Sequence, residues 1–264
     1  MDRSGSFAKA LDRARPLAVA LAGAGRAVLD LALPPTCISC GAIMRDAGGL
    51  CGVCWGRMTL ISPPVCHRLG TPFAIPPFPG DGPPVSAEAL ADPPAFDRAR
   101  AAVLFGAVSR DLVHRLKYGD RLDLAAPMAR LMAQAAPDLI READVIVPVP
   151  LHLLRLWRRR FNQSALLARN LAAASGKPVH LEALQRVRPT PSQVALSRAE
   201  RRANVSGAFR VPAMAAPAVA GRRVLLVDDV LTTGATLDAC ARMLRRSGAR
   251  GVDALTFARV VEDW

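Results

Sequence analysis

One thirteen-residue stretch limits what this chain can fold into more than any other: Val224-Leu225-Leu226-Val227-Asp228-Asp229-Val230-Leu231-Thr232-Thr233-Gly234-Ala235-Thr236. Val224 to Val227 read as a buried strand with two adjacent carboxylates at its carboxyl end. A hydroxyl-rich turn follows. Then comes a helix in which Leu237, Cys240, Ala241 and Leu244 share one face, with Gly248 as its stop. Backbone N–H groups of the turn, the threonine hydroxyls and the positive helix start suit a phosphate dianion. The carboxylates can accept hydrogen bonds from a vicinal diol, so the stretch reads as a clamp for a ribose 5-phosphate. Asp, Thr and Gly also cap helices and form turns. Two acids and three threonines around one glycine exceed what a turn requires. Gly234 belongs to no P-loop pattern, and Gly23-Ala24-Gly25 lacks the third glycine and preceding strand of a dinucleotide fingerprint.

The texture of the chain places this clamp in its last third. Residues 1–35 read as an amphipathic helix ended by Pro34-Pro35, with Leu17, Leu21, Val28 and Leu31 on one face. Residues 36–70 carry two C-x2-C pairs. Residues 71–97 are proline-rich, and this density of fixed φ angles and missing donors predicts a linker without regular structure up to Pro94. Beyond Asp97, strands and helices alternate, which predicts an open, mostly parallel sheet flanked by helices, with ligand at the carboxyl ends of the strands. Expected strands run from Arg98 to Phe105, Asp144 to Val149, Val224 to Val227 and Gly251 to Val260. Expected helices run from Ser109 to Lys117, Leu124 to Ala136, Gln163 to Ala174 and Arg198 to Asn204. No internal repeat is visible.

Cys37, Cys40, Cys51 and Cys54 have the spacing of four thiolates around one tetrahedral zinc, a closed and therefore structural site. The alternative is a disulfide framework or redox pair. Cys240 reads as a small buried hydrophobe, and Cys66-His67 as structural. No apolar run reaches the length of a membrane span, and Arg26 and Asp30 interrupt the N-terminal apolar segment, so the chain reads as cytoplasmic.

The formal net charge of +13 is uneven, with thirteen Lys/Arg against four Asp/Glu between Arg141 and Arg210. Such a surface attracts a polyphosphate or a nucleic acid, or is simply solvated. Arg155, Arg158, Arg159 and Arg160, then Asn162, Gln163 and Ser164, follow the strand that ends at Pro148-Val149-Pro150. This segment lies where a pyrophosphate needs neutralising; Arg158, Arg160, Asn162 and Gln163 are the candidate pyrophosphate or DNA ligands. Asn162 and Ser164 also have the form of a helix cap. The basic stretch from Arg186 to Gln193, followed by Ser197 to Asn204, reads as a loop closing over ligand or as a nucleic-acid arm, and Ser197 to Glu200 also has the form of a capping box. Tyr118 offers either a stacking surface or a core residue.

The strand, Asp-Asp and Thr-Thr-Gly-x-Thr order resembles the signature of type I phosphoribosyltransferases, which bind phosphoribosyl pyrophosphate. Leu33-Pro34-Pro35-x-Cys37-x-x-Cys40, Cys51-x-x-Cys54, His114 to Asp120, Val147 to Leu151, Arg160 to Ser164, Gln193, Arg201 with Asn204, and the clamp together resemble the ComF family of competence proteins. The resemblance implies a zinc ribbon fused to a phosphoribosyltransferase-like domain over 98–264, with a role in transformation and use of imported DNA. It implies that Asp228 and Asp229 hold the ribose hydroxyls and act in catalysis, while Thr232, Thr233, Gly234, Ala235 and Thr236 cradle the 5-phosphate. Mg2+ accompanies the pyrophosphate in that picture, and the acceptor is a nitrogen nucleophile of unknown identity. A non-catalytic alternative is a sensor of phosphoribosyl pyrophosphate, a single-stranded DNA binder, or an adaptor docking a DNA-translocating helicase. Many relatives carry further cysteine pairs. Here Cys66 is followed three residues later by Leu69, against a second zinc site.

Overall fold

In the computed structural model, residues 34–46, 48–75, 77, 82–189 and 198–261 are described. The expected N-terminal helix and the loop at 190–197 lie outside them. The chain divides into two compact units, Met1–Val53 and Cys54–Trp264. In the first, a tight knuckle is closed by Gly41 N–H donating to the Cys37 carbonyl (3.0 Å) and by an antiparallel bridge between Thr36 and Ile43.

In chain order the elements are α1 (Gly52–Gly56), α2 (Ala87–Ala91), β1 (Arg98–Leu104), α3 (Ala107–Tyr118), α4 (Ala125–Ala135), α5 (Pro137–Glu142), β2 (Val145–Pro148), α6 (Leu153–Arg159) and α7 (Gln163–Ser175). They continue with β3 (Gln185–Arg186), α8 (Arg198–Val205), β4 (Phe209–Arg210), β5 (Arg223–Leu231), α9 (Ala235–Arg246) and β6 (Gly251–Arg259). The main sheet has the order β1-β6-β5-β2, all parallel, and β3 pairs antiparallel with β4 in a small second sheet. This is the open α/β architecture read from the alternating sequence.

Strand alternation sorts the core into two faces. Val145, Val147, Val224, Leu226, Val252 and Ala254 join one apolar cluster with Leu237, Cys240, Ala241 and Leu244 of α9. Between them lie Ile146 and Leu225, also fully buried, while α7 packs on β2 and β5 and α4 packs on β1 and β6. At the amino-terminal end of the sheet the buried Asp253 of β6 is held by Arg98 (2.8 Å) and Arg223 (3.1 Å). A carboxylate 1 % exposed is compensated in the interior by this double pairing.

The free edge of β1 is covered by residues from the preceding segment. Ile61 N–H donates to the Ala102 carbonyl (3.0 Å), Leu104 N–H to the Thr59 carbonyl (2.9 Å), and Ala99 N–H to the Arg68 carbonyl (2.7 Å). The proline-rich segment is not wholly irregular, as the sequence suggested. Between Pro84 and Pro93 it is free of proline, and there Ser86 caps the single turn α2 by accepting from the Ala89 N–H (3.4 Å). Sequence reading also missed α5, α6 and the β3–β4 pair, all short elements fixed by tertiary contact rather than periodicity.

The absence of a visible repeat also needs correction. Cys66-His67-Arg68-Leu69-Gly70 folds into a second knuckle with the hydrogen bonds of the first, Gly70 N–H donating to the Cys66 carbonyl (2.7 Å) beneath a Val65–Pro72 bridge. Cysteine spacing conceals the repeat because the second copy retains one cysteine.

Candidate functional site

The site arises from unequal strand lengths. β2 ends its pairing with β5 at Pro148 opposite Val227, and Val149 N–H then donates to the Val227 carbonyl (2.9 Å). β5 instead runs on beside β6 to Leu231. Asp228 and Asp229 therefore sit within the strand, rather than just beyond it as the sequence suggested, on the stretch where β5 has lost its β2 neighbour. They open into a cleft of 470 Å³ at the carboxyl ends of the strands.

Asp228 is half-buried. Ser164 Oγ donates to its Oδ1 (2.8 Å), and the Asp229 N–H donates to the same atom (2.9 Å). Burial, reinforced by the adjacent charge of Asp229, pushes the Asp228 carboxyl up to about 7 despite these donors and Lys117. Lys117 Nζ lies 2.8 Å from Asp229 Oδ2 in an ion pair. The Cys240 thiol, buried beneath the strand, is raised well above its ordinary value by burial and then by Asp228, which leaves it a neutral hydrophobe.

Gly234 ends the turn as the N-cap of α9 with φ of 79°. A side chain there would meet only ordinary contacts, at 3.6 Å from Leu231 Cδ1, so the left-handed backbone sets the requirement for glycine. Thr232, Gly234, Ala235 and Thr236 line the cleft with the acid pair. Thr233 faces a separate 100 Å³ cleft beside Asp92, Arg202 and Asp238. Its buried hydroxyl has no hydrogen-bond partner among the described residues.

The structure brings only some of the predicted cationic and amide residues to the acids. Gln163 lines the cleft. Asn162 does not: its Oδ1 accepts from the Ser164 N–H (3.0 Å) and its Nδ2 donates to the Val149 carbonyl (3.0 Å), so its polar atoms serve the start of α7. Arg158 and Arg160 line an outer groove with Leu153 and Trp157 instead. The arginines in the cleft are Arg155, Arg159, Arg186 and Arg201. Helical spacing explains the exchange. Arg155 and Arg159 are four residues apart on α6 and share a face, which the run of arginines alone does not reveal.

Arg201 Nε is buried with no hydrogen-bond partner among the described residues. Arg186 stacks on Phe209 at 5.2 Å, and burial, then Arg155, push its guanidinium down from its ordinary value. Tyr118 is exposed rather than in the core. Arg159 lies 4.8 Å over its ring and donates to its hydroxyl (2.8 Å).

The four cysteine sulfurs of the C-x2-C pairs all lie within 4.8 Å of one another. Cys40 and Cys51 are 3.6 Å apart, near the ~3.8 Å edge of a zinc–thiolate tetrahedron with bonds of about 2.3 Å. Burial raises the Cys37 thiol, but hydrogen bonds from the backbone of Cys51, Cys40 and Ser39 and from the Cys40 side chain outweigh it, bringing it to about 6. Thiols so placed suit zinc.

Residues 124–264 match the phosphoribosyl transferase domain, and residues 28–84 match the double zinc ribbon domain. The chain belongs to the ComF family. It is 35 % identical over 218 residues to the DNA utilization protein YhgH of Salmonella typhimurium, covering 81 % of this chain and 91 % of that one. To the corresponding Escherichia coli (strain K12) protein it is 33 % identical over the same shares. It is 35 % identical over 153 residues to competence protein F of Haemophilus influenzae, 56 % of this chain and 66 % of that protein. The cleft thus belongs to a phosphoribosyl transferase domain, joined to a zinc ribbon with four close cysteines. Among the described residues no helix is long and apolar enough to cross a membrane.

Proposed function

We propose that this ComF-family chain binds phosphoribosyl pyrophosphate in the cleft and transfers its phosphoribosyl group to a nitrogen nucleophile, serving the use of DNA in the cytoplasm. The observation that carries the reading is the acid pair bared where β5 outruns β2, beside a glycine-capped threonine turn and in a cleft shared with four arginines. On this reading Asp228 and Asp229 accept hydrogen bonds from the ribose hydroxyls, and the turn from Thr232 to Thr236 holds the 5-phosphate with the start of α9. Arg155, Arg159 and Arg201 receive the pyrophosphate as charge develops on it during departure. The carboxylates of the acid pair, which line the cleft, and the ligand's own phosphates form a hard donor set suited to Mg2+, which when bound neutralises the leaving group.

The setting rests on relatives named for DNA utilization and competence. A second reading of the outer groove has its own support. Trp157 is 83 % exposed and lines that groove with Arg158 and Arg160, a stacking ring among phosphate-seeking cations suited to single-stranded DNA. Nothing comparable supports a helicase partner.

The test is thermal unfolding with phosphoribosyl pyrophosphate and Mg2+. At a hundredfold excess over Kd the wild type gains about 2.7 kcal/mol, or roughly 5–10 °C for a chain of this size. Asp229→Asn is expected to lose most of that gain; an equal gain in both proteins refutes the diol assignment. Pyrophosphate release with a panel of nitrogen acceptors then separates transfer from sensing.

A further inference from the structure

We infer that the second ribbon of this chain takes no metal, and that its knuckle has become a hydrogen-bonded strut of the phosphoribosyl transferase sheet. The match to a double zinc ribbon domain implies two sites, so the inference rests on comparing two knuckles residue by residue.

The backbones correspond closely. In the first knuckle Cys37 N–H donates to the Ala42 carbonyl (2.8 Å), Gly41 turns with φ of 76°, and Cys51 N–H donates to Cys37 Sγ (3.3 Å) just before α1. In the second, Cys66 N–H donates to the Thr71 carbonyl (2.7 Å), Gly70 turns with φ of 69°, and Ser86 N–H donates to Cys66 Sγ (3.3 Å) just before α2. This register pairs Cys37 with Cys66, Cys40 with Leu69, Cys51 with Ser86 and Cys54 with Ala89.

Three of four ligand positions have therefore lost their thiol. The surviving Cys66 sulfur is fully buried and accepts from the Leu69 N–H (3.4 Å), the Ser86 N–H and the Ser86 hydroxyl (3.3 Å). Leu69 and Ala89 are buried apolar residues in the same cluster. Among the described residues, the metal-compatible grouping of His, Cys, Asp and Glu is the set around Cys37, and Cys66 is not part of it. Donors and hydrocarbon stand where a cation and three thiolates would be, an environment that repels zinc.

What replaces the metal is the sheet. The carbonyls of His67, Arg68 and Leu69 accept respectively from Arg100 Nη1 (2.9 Å), the Ala99 N–H (2.7 Å) and Arg259 Nη1 (2.6 Å). Gly70 lies so close to β1 that a Cβ would stand 2.3 Å from the Ala99 carbonyl oxygen. A turn fixed at three carbonyls does not need an ion to hold its shape.

The experiment is zinc content per chain, by elemental analysis, of three purified full-length proteins: wild type, Cys66→Ser, and the triple variant Leu69→Cys/Ser86→Cys/Ala89→Cys. Cys66→Ser is expected to match wild type, while the triple variant, with native Cys66 as fourth ligand, is expected to gain one equivalent. Each readout is a difference from wild type, so it does not depend on how fully the first ribbon is loaded. Loss of one equivalent in Cys66→Ser overturns the inference. So does a triple variant with a cooperative melt and no added zinc, because the register of the two knuckles would then be wrong. Circular dichroism melts of all three confirm that folded protein is compared.

Discussion

Replacing Asp228 with Asn should make the protein more stable and less able to bind its ligand, and pH should decide by how much. In the wild type, burial and the Asp229 charge raise the carboxyl to about 7, against an ordinary 3.8. The folded state therefore keeps a proton that the unfolded chain has already released. Stability falls as pH rises above the unfolded value, by up to about 1.4 kcal/mol per pH unit, and the loss levels off above the folded value. The rise from 3.8 to about 7 sets an upper bound of about 4 kcal/mol on that loss. Partial exposure of Asp228 in the cleft screens this cost and brings the expectation to about 2–3 kcal/mol at pH 8.5. Asn removes that cost and preserves the local geometry, because its amide oxygen can still accept from Ser164 Oγ and the Asp229 N–H. The melting temperature of Asp228→Asn should exceed wild type by roughly 4–10 °C at pH 8.5, and the gap should narrow as pH falls and close only near the unfolded value of 3.8. Stabilisation by phosphoribosyl pyrophosphate should drop at the same time. A gap that is independent of pH, or an Asn variant that is less stable at pH 8.5, would refute the reasoning.

Two further outcomes follow from the same cleft and from the groove beside it. Arg201→Met removes a cation whose buried Nε has no partner among the described residues, so stability should hold or rise slightly. Affinity for phosphoribosyl pyrophosphate should fall about 10- to 100-fold, the worth of a charged hydrogen bond; unchanged affinity in a titration would remove Arg201 from the site. On the DNA reading, Trp157→Ala should weaken single-stranded DNA binding about 5- to 100-fold through lost stacking, and Arg158→Ala with Arg160→Ala should lower the log–log salt slope by about 1.4. An unaltered slope would move DNA contact away from α6.

The strand, acid pair and glycine-capped turn were legible in sequence because their determinants are local. Strand, acids, glycine cap and helix all follow within about twenty residues, and each position is set by its neighbours in the chain. The four first-ribbon cysteines were legible for the same reason. Arg155 and Arg159 were not separable from Arg158 and Arg160 without knowing that the segment is helical, since the helix sets Arg158 on another face and ends before Arg160, whose backbone is left-handed. Lys117 falls near the site by motif alone; its pairing with Asp229 depends on how α3 packs beside β5. Arg201 lies on α8, distant in sequence from the strand it approaches, and no spacing signals that encounter. Asn162 shows the opposite difficulty. Its two possible roles have the same sequence signature, and only the hydrogen bonds to Ser164 and Val149 decide between them.

The residues lying against the outer flank of β1 have a consequence for dissecting this molecule. Strand β1 is terminal in the sheet, and the donors and acceptors along its outside are met by Thr59, Ile61 and Arg68. A fragment starting at Arg98 would leave that row unmet, a ready template for self-association into extended aggregates. The ribbon side of the chain therefore acts as a selvedge for the sheet, and the two halves cannot be expressed apart without fraying it.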